Sequence, residues 1–439
     1  MLELLSYGVL PLWLKTAGVN QVGANAVTVL NWQAGLPGVV WDAESDPDQD
    51  QATVALIEGY LKRLSAKGLL LQAPQGIWLQ SGVGVLASHA GTTPIPAASL
   101  TKMATSLAAL QVWGESHQFI TTVRTNGAIE NGVLQGDLII EGGGDPFFVW
   151  EEGIGLGVSL NQLGIQRVTG RLIITGPFLF NYDTDPIVAG QSLQLALNAE
   201  SWPFGVDRLY FRMAPGTPKP KVTLAGGVAT QKTLPPSRIL IRHQSLTVME
   251  ILKQMNIYSD NDLSELIAEQ LGGVQLVESL ARQATGMPAR EIQLINGSGL
   301  GTENQISPRA ATALLMAIQR ELQTTGLTIA DLLPVAGRDR GTLADRKLPK
   351  AVVAKTGTLN SVIALAGVIP TQKQGLVWFS LINRGTDWDG LREQQDLLLQ
   401  EIVTTWGAVP GTPAAIQPHI SDRPRLGATQ RNIIITDQD

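Results

Sequence analysis

Apolar residues recur at steps of three and four in several parts of the chain, which is the period of an amphipathic helix. One such face follows the prolines at positions 94 and 96 and consists of Leu100, Met103, Leu107 and Leu110. Because proline is tolerated before a helix but not inside it, this helix is predicted to begin just after Pro96. Further helices are predicted over Gln51 to Lys67, Leu246 to Met255, Asp262 to Leu271, Ala310 to Leu322 and Leu391 to Trp406.

Short runs rich in Val, Ile and Leu, bounded by turn residues, predict β-strands in other parts of the chain. A hairpin over residues 76–86 precedes the Leu100 helix, and three strands between Ala351 and Asn383 suit an antiparallel sheet. A short helix is predicted over Leu156 to Leu163, and the glycine-rich run at 153–157 is predicted to be a loop. Short strands are also predicted over Phe119 to Thr125, Gly136 to Glu141 and Gly170 to Thr175.

These patterns divide the chain of 439 residues, which is long enough for two domains, into three parts. Residues 1–112 and 237–410 carry most of the predicted helices and the antiparallel strands, and they form one domain. Residues 113–236, where short strands and Gly/Pro-rich turns dominate, form an inserted, mostly β domain. Residues 411–439 are rich in proline and polar residues and are predicted to be a loosely held C-terminal tail.

Composition and charge narrow the function classes. The net charge is −6 and 16% of the residues are charged, without a Lys/Arg-rich run, which argues against nucleic acid as a partner. The chain has no cysteine, so disulfides and cysteine-bound metals are excluded. The apolar segment from Leu4 to Leu14 is too short to span a membrane, and it lacks the basic start of a conventional secretory signal. An export signal of unusual form and a helix packed on the body both fit it, and membrane contact stays open.

Candidate chemistry begins with Ser99 and Lys102, at the start of the predicted Leu100 helix. Residues three positions apart lie on one helical face, so the two side chains can touch. A serine hydroxyl becomes a nucleophile when a nearby base takes its proton. Lysine becomes such a base when burial or nearby positive charge lowers its pKa. Taken alone, the spacing is also typical of a helix cap beside a solvated lysine.

Two further motifs make the catalytic interpretation of Ser99 and Lys102 more specific. A Ser-Asp-Asn triplet at 259–261 lies in the predicted connection between two helices. A Lys-Thr-Gly triplet at 355–357 lies in a predicted strand. Ser-x-x-Lys, Ser-Asp-Asn and Lys-Thr-Gly together are the signature of penicillin-binding proteins and class A β-lactamases. Each motif is weak by itself, and the ordered set of three is a strong signal.

With these motifs the sequence resembles the low-molecular-mass class C penicillin-binding proteins, the D-alanyl-D-alanine carboxypeptidase/endopeptidase family. The resemblance runs from about Gly76 to Trp406 and includes the segment Asn296 to Leu300, which is similar to the family's Asp-Gly-Ser-Gly-Leu loop. It implies an α+β fold of the penicillin-binding/β-lactamase type. In that fold a helical cluster lies on a five-stranded antiparallel sheet, and a domain is inserted between the first two motifs.

The resemblance also implies a role for each motif residue. Ser99 would be the acylated nucleophile, and Lys102 would take its proton. Ser259 would pass a proton to the leaving amine, and Asn261 would hold the amide of the substrate. Lys355 would supply positive charge near the terminal carboxylate of the substrate. No metal and no cofactor is implied, and the four scattered histidines form no His-Glu-x-x-His motif.

Substrate binding is predicted at the last motif. Thr356 would donate a hydrogen bond to the carboxylate, and the backbone N–H groups of Ser99 and Thr358 would form an oxyanion hole. Gly357 has no side chain, so a peptide can approach and pair with an edge strand there. Asp207 is the candidate for recognising a side-chain amine of the substrate, because its segment resembles the family's Trp-x-Trp-x-Asp, one position out of register.

The predicted function is that of a serine DD-peptidase of the cell envelope or periplasm. It would cleave the D-Ala-D-Ala end of peptidoglycan stem peptides through an acyl-enzyme that β-lactams trap, with D-Ala cross-links as an open second substrate. A β-lactamase or esterase on the same scaffold is an alternative, although the Glu-x-x-Leu-Asn segment that provides the deacylating Glu of class A enzymes is missing. A second alternative is a non-catalytic peptidoglycan-binding protein, and the intact motifs argue against it.

Overall fold

The computed structural model describes residues 51–69, 74–82 and 84–435, and the apolar segment from Leu4 to Leu14 lies outside them. None of the described helices combines the length and the apolar composition that crossing a bilayer requires. The helices are α1 (Gln51–Ala66), α2 (Lys102–Trp113), α3 (Trp150–Gln162), α4 (Pro186–Ala196), α5 (Val206–Tyr210), α6 (Val248–Tyr258), α7 (Asn261–Gln270), α8 (Val274–Thr285), α9 (Pro308–Gln323), α10 (Ile329–Leu332) and α11 (Trp388–Trp406). The strands are β1 (Gly76–Ser81), β2 (Gly84–His89), β3 (Ile95–Pro96), β4 (Ile120–Thr125), β5 (Ala128–Glu130), β6 (Val133–Gln135), β7 (Leu138–Glu141), β8 (Arg167–Val168), β9 (Leu172–Thr175), β10 (Thr223–Leu224), β11 (Val228–Thr230), β12 (Arg238–Gln244), β13 (Ile292–Gln293), β14 (Gln305–Ile306), β15 (Val353–Leu359), β16 (Val362–Thr371), β17 (Gly375–Arg384) and β18 (Asn432–Ile434).

One sheet organises the part of the molecule that holds the three motifs. Its five strands have the order β15-β16-β17-β1-β2, and every neighbouring pair is antiparallel. On one face lies a cluster of helices that includes α2, α6, α8 and α9, with Leu107 and Leu314 in its core. On the other face α1 and α11 pack around Leu365 and Leu398. Since both faces are covered, every residue of β16 is buried. The predicted α+β fold, with a helical cluster on a five-stranded antiparallel sheet, is confirmed.

The segment between α2 and α6 has a core of its own. Its larger sheet has the order β11-β9-β7-β4-β12-β18, in which β9 is parallel to both of its neighbours and the other pairs are antiparallel. Helices α3 and α4 contribute Leu156 and Leu193 to the core beside this sheet. The inserted segment therefore contains helices as well as strands. Its sheet also uses β12 and β18, which lie beyond the predicted boundary at residue 236.

The run from Gly153 to Gly157 is helical and lies inside α3, so the predicted loop is wrong. A Cβ on Gly153 would lie 2.8 Å from the ring of Phe180, and one on Gly155 would lie 2.4 Å from the backbone oxygen of Gly427. Glycine in a helix costs roughly 1 kcal/mol relative to alanine. Here it lets neighbouring segments pack against the helix backbone. Those neighbours come from distant parts of the chain, so the local pattern does not reveal them.

Residues 411–435 pack on the body of the molecule, so the prediction of a loosely held tail is wrong for this described part of it. The carboxylate of Asp331 accepts a hydrogen bond from the backbone N–H of Ile420 at 2.7 Å. Further along, β18 pairs with β12 as the last strand of the inserted sheet. Arg431 forms an ion pair of 2.6 Å with the buried Glu152. A segment rich in proline and polar residues stays loosely held only when the rest of the protein offers it no binding partners. Here buried carboxylates accept its hydrogen bonds and ion pairs.

Candidate active site

Ser99 lies in the 3₁₀ turn Ala98–Thr101, which leads directly into α2. The turn is tight, because Ala98 has a φ of 50°, a conformation that residues with a Cβ rarely adopt. Met103, the second residue of α2, is fully buried and anchors the start of the helix in the core. This arrangement holds the serine beside Lys102, whose Nζ donates a hydrogen bond of 3.1 Å to Ser99 Oγ.

Lys102 is fully buried, and its amine is surrounded by acceptors. Besides the serine hydroxyl, Nζ donates to Asn261 Oδ1 at 2.6 Å and to the carbonyl oxygen of Ser298 at 2.8 Å. Burial lowers the pKa of Lys102 to about 8, against the opposing effect of the carboxylates of Glu265 and Asp260. An amine with this pKa is partly neutral near neutral pH, so it can take a proton from the adjacent hydroxyl.

The turn between α6 and α7 presents the Ser-Asp-Asn motif to the same cleft. Ser259 ends α6 with a φ of 56°, in the left-handed region. Asp260 then caps α7, because its Oδ1 accepts a hydrogen bond of 3.0 Å from the backbone N–H of Leu263. Asn261 is the first residue of α7, and this position brings its side-chain oxygen to Lys102. The left-handed residue lets the chain reverse between two helices and still show both polar side chains to one site.

Lys355 reaches the cleft from β15, the edge strand of the five-stranded sheet. Its Nζ donates hydrogen bonds to Ser259 Oγ at 2.8 Å and to the carbonyl oxygen of Thr356 at 2.9 Å. Lys355 is fully buried, and burial together with the nearby Lys102 places its pKa well below the ordinary value for lysine. When two amines lie near each other, protonation of one makes protonation of the other less favourable. Lys355 therefore carries a positive charge most readily when an anion lies beside it.

Two glycines allow separate segments to reach the Ser99 turn. Gly299 has a φ of 86°, and a Cβ there would lie 1.9 Å from the carbonyl oxygen of Ala98. Gly357 in β15 faces the same turn, and a Cβ on it would lie 3.0 Å from the carbonyl oxygen of Ala97. Because these neighbours are backbone atoms, any side chain would push the strand or the loop away from the serine.

Glu265 supports the site from α7, behind Lys102. Its carboxylate accepts hydrogen bonds from the backbone N–H groups of Gly297 at 2.9 Å and Ser298 at 3.0 Å. Ser298 in turn offers its carbonyl oxygen to Lys102. Sequence reasoning missed Glu265, because it belongs to no motif and the loop that it holds lies more than thirty positions away in the chain. Glu265 therefore fixes the position of the Ser298 carbonyl oxygen, which accepts a hydrogen bond from Lys102, the proposed base.

A cavity of about 530 Å³ opens beside β15. Thr356 and Thr358 line it, together with Arg392 from α11. Arg392 Nη2 donates to Thr358 Oγ1 at 3.3 Å, and its ion pair with Asp389 is long, at 3.4 Å, with an exposed partner. A carboxylate beside Thr356 and Thr358 would meet their two hydroxyls and the Arg392 guanidinium. Neither Ser99 nor Lys355 lines the cavity, and its other charged lining residues are Arg346, Lys347, Asp345, Asp389, Glu393 and Asp396. Sequence reasoning missed Arg392, because nothing in the amphipathic pattern of α11 distinguishes it from a surface arginine.

Asp207 lies in α5, and the structure does not bring it to the group of motif residues. Its carboxylate pairs at 3.6 Å with Lys219, and both side chains are exposed. Recognition of a side-chain amine by Asp207 therefore stays a prediction without support from its position.

The fold and the meeting of three motifs in one cleft define a serine enzyme of the penicillin-binding/β-lactamase type. A family model described as the D-Ala-D-Ala carboxypeptidase 3 (S13) family matches residues 64–179 and 219–402. Because the match covers more than half of the chain, the chain belongs to this family. The predicted family is confirmed, and so is the prediction of a serine D-Ala-D-Ala peptidase.

Individual relatives agree with the family assignment. The D-alanyl-D-alanine carboxypeptidase DacB of Haemophilus influenzae is 23% identical in an alignment of 394 positions, which covers 67% of this chain and 81% of the relative. The penicillin G-acylated predatory endopeptidase Bd3459 of Bdellovibrio bacteriovorus superposes with a TM-score of 0.69 at 20% identity, over 77% of this chain and 95% of that one. Penicillin-binding protein 4 of H. influenzae gives a TM-score of 0.59 at 18% identity, over 78% and 99%. These solved structures establish the fold.

Proposed function

We propose that this chain removes the terminal D-alanine from peptidoglycan stem peptides through an acyl-enzyme on Ser99. The observation that carries the proposal is the 3.1 Å contact from Lys102 Nζ to Ser99 Oγ inside a buried cleft. A lysine whose pKa is lowered to about 8 is suited to take the hydroxyl proton. The family's D-Ala-D-Ala specificity supports the choice of substrate.

Acylation begins when neutral Lys102 takes the proton of the Ser99 hydroxyl. Oγ then attacks the carbonyl carbon of the penultimate D-alanine, and the carbonyl oxygen becomes an oxyanion. The backbone N–H groups of Ser99 and Thr358 are the proposed donors to this oxyanion. Loss of one donor of this kind typically costs ~10²–10³ in rate.

Collapse of the oxyanion breaks the C–N bond and releases D-alanine. Ser259 gives its proton to the leaving amine, and Lys355, at 2.8 Å from Ser259 Oγ, replaces that proton. Asn261 holds the substrate amide during these steps. Water then attacks the ester, its proton restores Lys355, and Lys102 returns its proton to Ser99 Oγ. One water is consumed for each D-alanine released.

The terminal carboxylate of the substrate is assigned to the cavity beside β15. Thr356 and Thr358 would donate hydrogen bonds to it, and Arg392 would add a permanent positive charge. β15 is the edge strand of its sheet, so the substrate backbone can lie along it.

The same cleft accounts for β-lactams as inhibitors, since a β-lactam amide would acylate Ser99 like the peptide. The likeness to an endopeptidase that was solved in its penicillin G-acylated form supports this assignment. Cross-links between stem peptides offer a D-alanyl carbonyl too, so their cleavage is a second activity of the same site. Because these substrates belong to the cell wall, we place the enzyme in the cell envelope.

Intact mass spectrometry after exposure to penicillin, followed by peptide mapping, tests the proposal. One covalent adduct is expected, and it should map to Ser99. Ser99→Ala should lose the adduct, whereas the matched variant Ser81→Ala, in β1 with its hydroxyl bonded to the carbonyl oxygen of Gln374, should keep it. An adduct at another residue, or a folded protein that takes up no penicillin and releases no D-alanine, would reject the nucleophile assigned here.

A further inference from the structure

Tyr182, from the inserted segment, contacts the Ser-Asp-Asn motif directly. Its hydroxyl donates a hydrogen bond of 2.8 Å to Asp260 Oδ2. The other oxygen of the same carboxylate accepts from the backbone N–H of Leu263 at 3.0 Å, at the start of α7. Both oxygens of Asp260 are therefore held, one by its own helix and one by the inserted segment.

The backbone at Tyr182, which makes this contact, is strained. Asn181 has a φ of 50° and Tyr182 a φ of 72°, and two consecutive residues in the left-handed region are unusual for side chains larger than glycine. Strain of this kind persists where the surroundings enforce it, and it concentrates at functional sites.

The strained turn is enforced from the core of the inserted segment. The backbone N–H and C=O groups of Phe180 and Asp183 pair with each other at 3.0 and 3.2 Å and close the turn. Phe180 is buried, and its ring packs edge-on against Trp150 with the ring centroids 5.2 Å apart. These contacts fix the conformation of the turn, so the Tyr182 hydroxyl is held beside Asp260.

Asp260 stands between the two residues of the motif that meet the lysines. Ser259, on one side, receives Lys355, and Asn261, on the other, receives Lys102. A rotation of Asp260 would move both contacts at once, because Ser259 ends one helix and Asn261 begins the next. Burial raises the pKa of Tyr182, so its hydroxyl stays a neutral donor over the whole working pH range.

We propose that Tyr182 is a positioning residue for acylation, which holds the Ser-Asp-Asn turn in register with the two lysines. The inserted segment thereby contributes to catalysis without touching the reacting atoms. The proposal rests on the function proposed above for Ser259 and Asn261. It predicts that loss of the hydroxyl slows the chemical step and leaves substrate binding in the cavity beside β15 unchanged.

Tyr182→Phe tests this, with Tyr210→Phe as the matched control. Tyr210 also lies in the inserted segment, and its hydroxyl donates at 2.6 Å to the carbonyl oxygen of Thr217, away from the motifs. Tyr182→Phe is expected to lower kcat and the rate constant of penicillin acylation about tenfold, with KM within about twofold, because it removes a hydrogen bond to a charged acceptor. Tyr210→Phe should keep unaltered rates. Equal rates in Tyr182→Phe and the unaltered enzyme would overturn the proposal, as would an equal loss in Tyr210→Phe.

A double-mutant cycle with Asp260→Ser separates positioning from a general effect on folding. Serine also caps helices, so α7 keeps its start, and it has no second polar atom that could meet the Tyr182 hydroxyl. In the Asp260→Ser background, Tyr182→Phe should change kcat by less than about twofold, because the two variants remove the same interaction. A further tenfold loss there would show that the hydroxyl acts elsewhere and would reject the proposal. Failure of the proposed function would instead appear as a missing Ser99 adduct in the unaltered enzyme.

Discussion

Glu265 and Ser298 are joined by a hydrogen bond of 3.0 Å, from the backbone N–H of Ser298 to Glu265 Oε1. The carbonyl oxygen of the same Ser298 accepts Lys102 Nζ at 2.8 Å. The carboxylate also raises the pKa of Lys102 through its charge, and so opposes the effect of burial. Glu265 therefore determines both where the proposed base lies and how strongly it holds its proton.

Glu265→Gln should shift the pH dependence of acylation to lower pH. The substitution removes a negative charge near Lys102, so the pKa of Lys102 should fall below its present value of about 8. The amide can accept only one of the two backbone hydrogen bonds, so the free energy of unfolding should fall by about 1–3 kcal/mol. Rates of penicillin acylation across pH and urea unfolding measure the two effects.

Glu269→Gln is the control for this variant, because Glu269 lies one turn further along α7 and is exposed. It should leave both the pH profile and the stability close to those of the unaltered enzyme. A shift of the Glu265→Gln profile to higher pH would contradict the electrostatic role given to the carboxylate.

In the unaltered enzyme, acylation should become faster as pH rises toward the pKa of Lys102. Burial lowers this pKa to about 8, so below that pH most of the amine is protonated and cannot take the serine proton. The rate should fall about tenfold for each pH unit below the pKa and level off above it. Stopped-flow acylation by a chromogenic β-lactam gives the profile, and thermal unfolding at each pH confirms that the enzyme stays folded. A profile that is flat through this range would exclude Lys102 as the base.

Arg392→Gln should weaken binding of substrates that end in a free carboxylate. The guanidinium lies beside Thr358 at the cavity, and loss of its charge-assisted hydrogen bond should raise KM about tenfold, with kcat nearly unchanged. A peptide with an amidated C-terminus carries no such charge, so its weaker turnover should not change further. Steady-state kinetics with the two peptides measure the difference.

Arg63→Gln is a matched control for Arg392→Gln. It removes one positive charge from a partly exposed ion pair of 2.8 Å with Glu401, which is also on α11 but does not line the cavity. Exposed pairs of this kind contribute little, so the KM of the carboxylate substrate should stay the same. An Arg392→Gln enzyme that loses activity equally on acid and amide peptides would contradict recognition of the carboxylate.

Gly357→Ala should move β15 away from the Ser99 turn. The new Cβ would lie 3.0 Å from the carbonyl oxygen of Ala97 and 3.1 Å from the Cβ of Ala364. Overpacking of this kind typically costs about 1–3 kcal/mol of stability. Acylation should slow because the proposed oxyanion donors, the backbone N–H groups of Ser99 and Thr358, would move apart. Gly411→Ala, where nothing lies within 4 Å of the added Cβ, should change neither stability nor rate. Unaltered acylation by Gly357→Ala would show that the strand does not need this close approach.

The amino-acid sequence was sufficient to predict the elements around the site and the residue types within it. Periodic apolar positions such as Leu100 and Met103 predict α2, because a helix must bury one face whatever lies opposite. The three motifs predict an acylating serine, because few residue types can perform each chemical step. The antiparallel sheet that carries Lys355 was predictable from the local pattern as well, because its strands are apolar runs bounded by turns.

How these residues act on one another depends on the folded arrangement of the whole domain. The low pKa of Lys102 and of Lys355 follows from burial and from their mutual approach, and neither exists in an unfolded chain. Glu265, Tyr182 and Arg392 reach the site across long stretches of sequence, through single contacts that leave no periodic trace. A local pattern records which face of an element is buried, whereas the distance between two side chains depends on every element packed between them.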